Sequence, residues 1–198
     1  VAINTQFSQI LWGLQAFGGQ PINAEGQIAL NQGAFTNWLN WLVAANANPE
    51  IFLSRDTTTL RQLFIDGRVA YYTGSASELT ILRSTMEADT IGVAPLPSGP
   101  NGTSGPLMQV DAFMFNSASS ELGHEKARDL AVFLTNLEQS TTFMRDLQIV
   151  PANRRVRVDL RTYPAIAGFI AQTRSAIAVP QLPQINRLLE LGDDMLLR

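Results

Sequence analysis

The residues that could do chemistry are few and scattered. His124 is the only histidine, and a Ser-His-Asp relay would need it as base, packed beside a nucleophile. Its context, Leu122-Gly123-His124-Glu125-Lys126, reads as the polar start of a helix, which makes it a surface position. A lone histidine among scattered carboxylates also lacks the ligand spacing of a metal centre. Arg154, Arg155, Arg157 and Arg161 form a basic cluster. It would suit phosphate, but a lone cluster in an acidic chain reads as a solvated face. Asp193-Asp194, Asp159 and Asp111 belong to no motif, whereas acid–base work needs two carboxylates facing one cleft. Ser98 to Pro106 holds three glycines and two prolines in nine residues, yet no Lys-Ser/Thr follows to complete a phosphate loop, so it reads as a connection. With no cysteine, disulfides, thiolate metal sites and a cysteine nucleophile are excluded. This inventory does not make an enzyme, and it points to neither metal nor cofactor.

What remains is the chemistry of recognition. Trp12, Tyr71, Tyr72 and Phe7 lie near predicted strand or helix ends, where a flat ring either stacks on the C–H face of a sugar or packs in the core. Trp38 and Trp41 sit on a helix face and read as core. The stretch from Phe64 to Ser75 runs from a helix end through Gly67 into a short strand, Val69 to Tyr72. It stops at Gly74 and opens a helix with Ser75-Ala76-Ser77-Glu78, which has the spacing of a capping box. In an open α/β domain, a strand that feeds a helix N-terminus in this way marks the place where ligands bind.

The chain must build elements that hold such residues. Its 198 residues are 45% hydrophobic and 16% charged, enough for one substantial core or two smaller lobes. A net charge of −3 argues against nucleic acid as a partner. No apolar run reaches the ~18 residues of a membrane span. The sequence begins at Val1 with neither an initiator Met nor a signal-like segment, which reads as a processed product or an excised piece. Apolar spacing predicts a strand end at Val1-Ala2-Ile3 and helices over Thr5 to Phe17 and around Phe35 to Val43. Asp56-Thr57 caps a further helix that ends at Asp66-Gly67, and others follow at Ser77 to Met86, Ser119 to Leu137 and Glu138 to Leu147. Pro164 opens a helix at its first position, and Ile185, Leu188, Leu189 and Met195 mark the last. Strands are expected at Thr90 to Ala94 and at Leu107 to Phe115. Interleaved helices and strands give an α/β fold that is helix-rich with a small mixed sheet.

The order of motifs resembles the extracellular solute-binding proteins of the maltose-binding type. The similarity runs from Val1-Ala2-Ile3-Asn4, a helix and Gly18-Gly19 through Ala24-Glu25-Gly26 and Leu30-Asn31. It continues in Phe64-Ile65-Asp66-Gly67-Arg68-Val69-Ala70-Tyr71, in Gly92 to Pro97 (Gly-Val-Ala-Pro-Leu-Pro) and in the helix Ala127 to Leu134. It closes with Val179-Pro180-Gln181-Leu182-Pro183-Gln184.

That resemblance implies a periplasmic-binding-protein-like lobe of type II, a fragment of a two-lobed clamp that closes on a small solute for an ABC importer without catalysis. Members run to roughly twice this length. Residues 1–107 and 162–198 would belong to the second, C-terminal lobe, and residues 108–161 would complete a first lobe that is otherwise missing. Unpaired strand edges there would favour self-association. The resemblance places Phe7, Ser8, Trp12, Gly74, Ser75, Ala76, Gln109, Asp111 and Arg187 near the solute. Trp12 or Phe7 would stack, Ser75 with its helix N-terminus would donate to hydroxyls, and Asp111 and Arg187 would make bidentate contacts. The chain departs from the family where sugar binders have Gly-Pro-Trp and it has Gly74-Ser75-Ala76, and where a second ring is replaced by Leu188 or Leu189. The implied ligand is a carbohydrate or polyol, and the implied location is extracytoplasmic, either periplasmic or as a cell-surface lipoprotein. Two alternatives are a binder of a non-sugar solute and an interaction module that keeps the fold but has lost its pocket.

Overall fold

A computed structural model describes residues 1–23, 25, 27–30, 33–179 and 183–196. The expected motif matches at Ala24-Glu25-Gly26, Leu30-Asn31 and Pro180 to Leu182 therefore lie wholly or partly outside the described residues. The chain divides into two compact units. The first comprises residues 1–91, 95–109 and 172–198, and the second residues 92–94 and 110–171.

The first unit is built on a short buried strand, β1 (Ala2–Asn4). It pairs in parallel with β2 (Phe52–Ser54) in the register Ala2↔Phe52, Ile3↔Leu53 and Asn4↔Ser54. On its other side Ala2 bridges Tyr72, also in parallel, with Ala2 N–H donating to the Tyr71 carbonyl and Thr73 N–H to that of Ala2. Between these lines run α1 (Phe7–Ile10), α2 (Trp12–Ala16), α3 (Gly33–Asn46), α4 (Thr57–Ile65) and α5 (Ala76–Thr85). A second parallel pair, β3 (Leu107–Met108) with β4 (Ile177–Ala178), and the C-terminal α9 (Pro183–Met195) complete the unit. Both ladders are parallel, so the helix-rich α/β reading holds, while among the described residues antiparallel pairing is confined to isolated bridges at Ile22↔Ile28 and Gly99↔Gly102.

The main core forms where α3 turns Phe35, Trp38 and Leu42 onto Phe7, Ile10, Leu11, Trp12 and Leu14 of α1 and α2. These α3 positions recur at helical spacing and bury one stripe. Trp38 lies against Gly13 so closely that a Cβ there would meet the indole at 2.3 Å. The predicted continuous helix from Thr5 to Phe17 is instead two short helices joined at Leu11. Gly18, at a φ of 87°, closes α2. Its N–H donates to Gln15 O at 2.9 Å and that of Gly19 to Leu14 O at 3.0 Å, the paired bonds of a Schellman end. Gly67, at φ 68°, ends α4 in the same manner, with Arg68 N–H reaching Leu63 O at 2.9 Å. A smaller cluster of Ala2, Leu60, Leu63 and Val69 fastens α4 to the strands.

Three expected strands are corrected. Val69 to Tyr72 makes only the bridge at Tyr72, with Val69 buried and Tyr71 exposed. Thr90 to Ala94 begins on the last residue of a 3₁₀ turn (Ala88–Thr90) and enters no ladder, since Pro95 and Pro97 remove donors from its continuation. Leu107 to Phe115 is paired only over β3.

The second unit contains α6 (Glu121–Thr135), α7 (Leu137–Leu147) and most of α8 (Pro164–Thr173). Ser120 caps α6, its Oγ accepting from Gly123 N–H at 3.2 Å, and Asn136 caps α7, accepting from Gln139 N–H at 2.8 Å. Gly168 admits the Val93 backbone, where a Cβ would meet Val93 O at 2.4 Å. The unit buries little of its apolar surface. None of α6 is buried, and the exposed side chains include Val110 at 72%, Met114 at 91%, Phe113, Phe115 and Phe133.

Candidate functional site

The carboxyl ends of the parallel strands carry the polar chemistry of the first unit. Each leads directly into a helix, β1 through Thr5-Gln6 into α1, β2 through Arg55-Asp56 into α4, and Tyr72 through Thr73-Gly74-Ser75 into α5. Asn4, buried at the end of an otherwise apolar strand, joins all three junctions. Its N–H donates to Thr73 Oγ1 at 3.1 Å and its Nδ2 to Thr57 Oγ1 at 2.9 Å, while its Oδ1 accepts from Gln6 N–H at 2.8 Å. Gln6 Nε2 in turn donates to Arg55 O at 3.1 Å. The sequence reading passed over Asn4, although a polar residue closing a buried apolar run is a signal that it has partners.

The three helix starts differ in what they leave open. Phe7 N–H, at the head of α1, donates to Asp193 Oδ1 at 2.9 Å. Arg55 holds that carboxylate at 2.8 Å and donates to Asp193 O at 3.3 Å. Sequence reasoning found no partner for Asp193 because the partner, Arg55, lies far away along the chain. Asp56 caps α4, accepting from Thr58 N–H at 2.9 Å and from Thr59 Oγ1. These bonds, chiefly with Thr59, draw its carboxyl below the usual aspartate range.

At α5 the expected capping box does not form. Ser75 occupies the N-cap position but makes no side-chain cap, and its Oγ lies 2.7 Å from Ser77 Oγ. Glu78, which in a box would reach back to the Ser75 N–H, is held elsewhere. Its Oε2 accepts from Arg61 Nη1 at 3.0 Å and from Tyr72 OH at 3.1 Å. Burial, reinforced by the Glu78 charge and hydrogen bond, raises the Tyr72 phenol well above the usual tyrosine range. Gly74 packs on this pair, since a Cβ would lie 3.0 Å from the Tyr72 ring. The start of α5 thus presents backbone N–H groups and two hydroxyls without a carboxylate cap, at the positive end of a ten-residue helix.

The predicted site residues divide accordingly. Gly74, Ser75 and Ala76 are exposed at this strand end, and Ser8 is half-buried in α1. Phe7 and Trp12 are corrected as stacking rings, because they are 1% and 5% exposed and occupied in the core. Phe7 meets Phe35 edge-on, its centroid 6.2 Å away, and Trp12 lies 4.8 Å from Trp38. The helix faces of α1 and α2 bury the rings that a reading of strand ends would expose. Leu188 and Leu189, where the resemblance expected a ring, also pack against that core. Arg187 is exposed on α9 and pairs with Glu190 at 3.5 Å, three residues on. Gln109 ends a segment of the first unit, and Asp111 belongs to the second; both are exposed. Among the described residues no cluster of three or more His, Asp or Glu side chains could hold a metal ion. No helix among them is long and apolar enough to cross a membrane.

Comparison with known proteins agrees with this architecture. The family model described as bacterial extracellular solute-binding protein matches residues 3–168. Among solved structures, T. maritima MalE3 bound to maltose is 19% identical over 98% of this chain and 52% of its own, with a TM-score of 0.73. The maltose/maltodextrin-binding domain of Bdellovibrio bacteriovorus, bound to maltotriose, is 17% identical over 97% of this chain and 52% of its own, with a TM-score of 0.78. The maltose-maltodextrin binding protein of Alicyclobacillus acidocaldarius gives 19%, 98%, 56% and 0.76. The chain therefore spans about half the length of these neighbours, which share its fold. No curated protein sequence matches it.

Proposed function

Because this chain belongs to the bacterial extracellular solute-binding proteins, we propose that it binds a carbohydrate or polyol for import by an ABC transporter, outside the cytoplasm and without catalysing a reaction. One observation carries the reading. The α5 start offers backbone N–H groups that no side chain caps, with the hydroxyls of Ser75 and Ser77, at a strand end braced by Asn4 and Thr73. Neutral hydroxyl groups are suited to such a donor array, and a helix N-terminus adds a favourable field for their oxygen lone pairs. The neighbouring solved structures with bound maltose and maltotriose support a saccharide as the solute class.

The wider reading adds a lobe and a transporter. The exposed apolar side chains of the second unit, Val110 to Phe115 and the face of α6, would be covered by a first lobe contributed by polypeptide beyond residues 1–198. The importer's membrane subunits would receive the closed clamp. The experiment is calorimetric titration with maltose, maltotriose, glucose and a polyol, on this chain and on any longer polypeptide that carries it. Saturable heat with one saccharide series supports the proposal. Silence with every sugar, alongside tight binding of a peptide or amine, would overturn it.

A second reading has its own observation. Phe7, Trp12, Leu188 and Leu189 all pack into the main core, which fits an interaction module that has kept the fold and lost a stacking pocket. Silence toward all small solutes, with a protein partner retained, would favour it.

A further inference from the structure

Glu78 stands three residues after the Ser75 N-cap of α5, the position from which a glutamate turns back to accept from the N-cap N–H. It faces the other way. Its Oε2 accepts from Arg61 Nη1 at 3.0 Å and from Tyr72 OH at 3.1 Å. The Arg61 and Glu78 side chains are only 19% and 14% exposed, so little water competes for the pair. Both donors come from outside α5. Arg61 belongs to α4, while Tyr72 bridges β1 at Ala2 and its ring lies 6.1 Å from that of Phe64. Gly74 packs against this clasp, since a Cβ there would lie 3.0 Å from the Tyr72 ring and 3.2 Å from Glu78 Cγ. Leu79 and Leu82, buried on the inner face of α5, anchor the helix beside it.

A carboxylate returned to the helix start would act against a neutral solute in two ways. It would take N–H groups that a solute hydroxyl could otherwise use, and it would set a negative charge against the hydroxyl oxygens. The driving force for that return exists. A carboxylate this deeply buried is costly once its donors are removed, and the box spacing puts new donors within its reach. Ser75 and Ser77, whose hydroxyl oxygens lie 2.7 Å apart, bring no charge of their own to the helix start. What keeps a carboxylate away from it is the pair of donors on α4 and at the strand end.

We propose that Arg61 and Tyr72 are positioning residues of the solute site, which hold Glu78 off the α5 start and so keep its N–H groups open to solute hydroxyls. The inference rests on the carbohydrate reading for its ligand, but the diversion of Glu78 is measurable without one. The test combines amide hydrogen exchange at Ser75 with calorimetric titration of maltotriose. It compares the native chain, the double variant Arg61→Met, Tyr72→Phe and the triple variant that adds Glu78→Ala. In the double variant, Ser75 exchange should slow about tenfold as Glu78 caps it, and maltotriose affinity should fall about tenfold. In the triple variant both should return to within about threefold of the native values, which mere loosening of the turn would not produce. Tyr72→Phe alone keeps the ring and the ion pair, so it should show the same changes in smaller measure even if the double variant does not fold. A native chain silent toward maltotriose would overturn the carbohydrate reading alone, and Ser75 exchange would still decide whether the clasp holds Glu78 away. Unchanged or faster Ser75 exchange in the double and single variants, or a triple variant that binds as weakly as the double, would overturn the proposal.

Discussion

Trp12 shows how a residue type can point to one role while its surroundings assign another. Its ring rests on Trp38, which stacks on Trp41 at 5.0 Å, and its Nε1 is buried without an acceptor. Truncation to alanine should cost about 3–5 kcal/mol in urea unfolding, as for a large core side chain. Trp12→Phe should cost clearly less, since it also removes an unpaired N–H that carries a penalty of about 1–3 kcal/mol. The Phe variant should bind sugar as the native protein does, and a selective loss of affinity with stability unchanged would return Trp12 to the binding surface. Tyr72 carries a pH signature. Its folded phenol is raised, so between the ordinary tyrosine range near 10 and the folded value the unfolded chain has lost a proton that the folded one retains. Stability from this group is therefore intact below about pH 10 and declines above it. Tyr72→Phe should flatten that alkaline decline in thermal melts recorded from pH 8 upward, and an unchanged decline would remove Tyr72 as its source.

Among the elements, helix ends were legible, whereas of the strands only β1, expected at Val1-Ala2-Ile3, was read near its place. Asp56 before Thr57, Gly67 after Asp66 and the Gly18-Gly19 pair act through bonds to residues only a few positions away, so local spacing reveals them. The strands expected at Thr90 to Ala94 and Leu107 to Phe115 needed ladder partners that no local pattern supplies, and only Leu107–Met108 found one. The α5 cap failed for a related reason. Ser75-Ala76-Ser77-Glu78 has the right spacing, but Arg61 and Tyr72, brought in by the fold, take Glu78. The candidate site was thus legible at Gly74-Ser75-Ala76, and it was obscured at Asn4 and at Asp193, whose partners are distant in sequence. The contact of Gly13 with Trp38 gives an element-scale prediction. In Gly13→Ala the methyl group would overlap an indole that is already fully packed. The repacking cost of about 1–3 kcal/mol should outweigh the helix-propensity gain of about 1 kcal/mol. A lower urea midpoint is expected, with shifted tryptophan emission, and an unchanged or higher midpoint would mean that α2 and α3 adjust freely.

For the whole molecule, the two units differ in how well they cover their apolar surface. The first has a continuous core from α1 to α3, while the second leaves Val110, Phe113, Met114, Phe115 and Phe133 exposed. Exposed apolar surface of this kind marks an interface. Sedimentation velocity on the 198-residue chain should show concentration-dependent association, reduced in the double variant Met114→Ser, Phe133→Ser. A native chain that stays monomeric at high concentration would argue that this face needs no cover. The central claim lies in the other unit, at the strand ends that meet α5. It is tested most directly by mapping amide chemical shifts while titrating maltotriose into the protein. The account predicts saturable shifts centred on Thr73 to Ser77 and reaching Thr5 and Gln6, with Trp12 and Trp38 indole signals unmoved. Saturable shifts that leave Thr73 to Ser77 untouched, or that centre on the indoles, would contradict it.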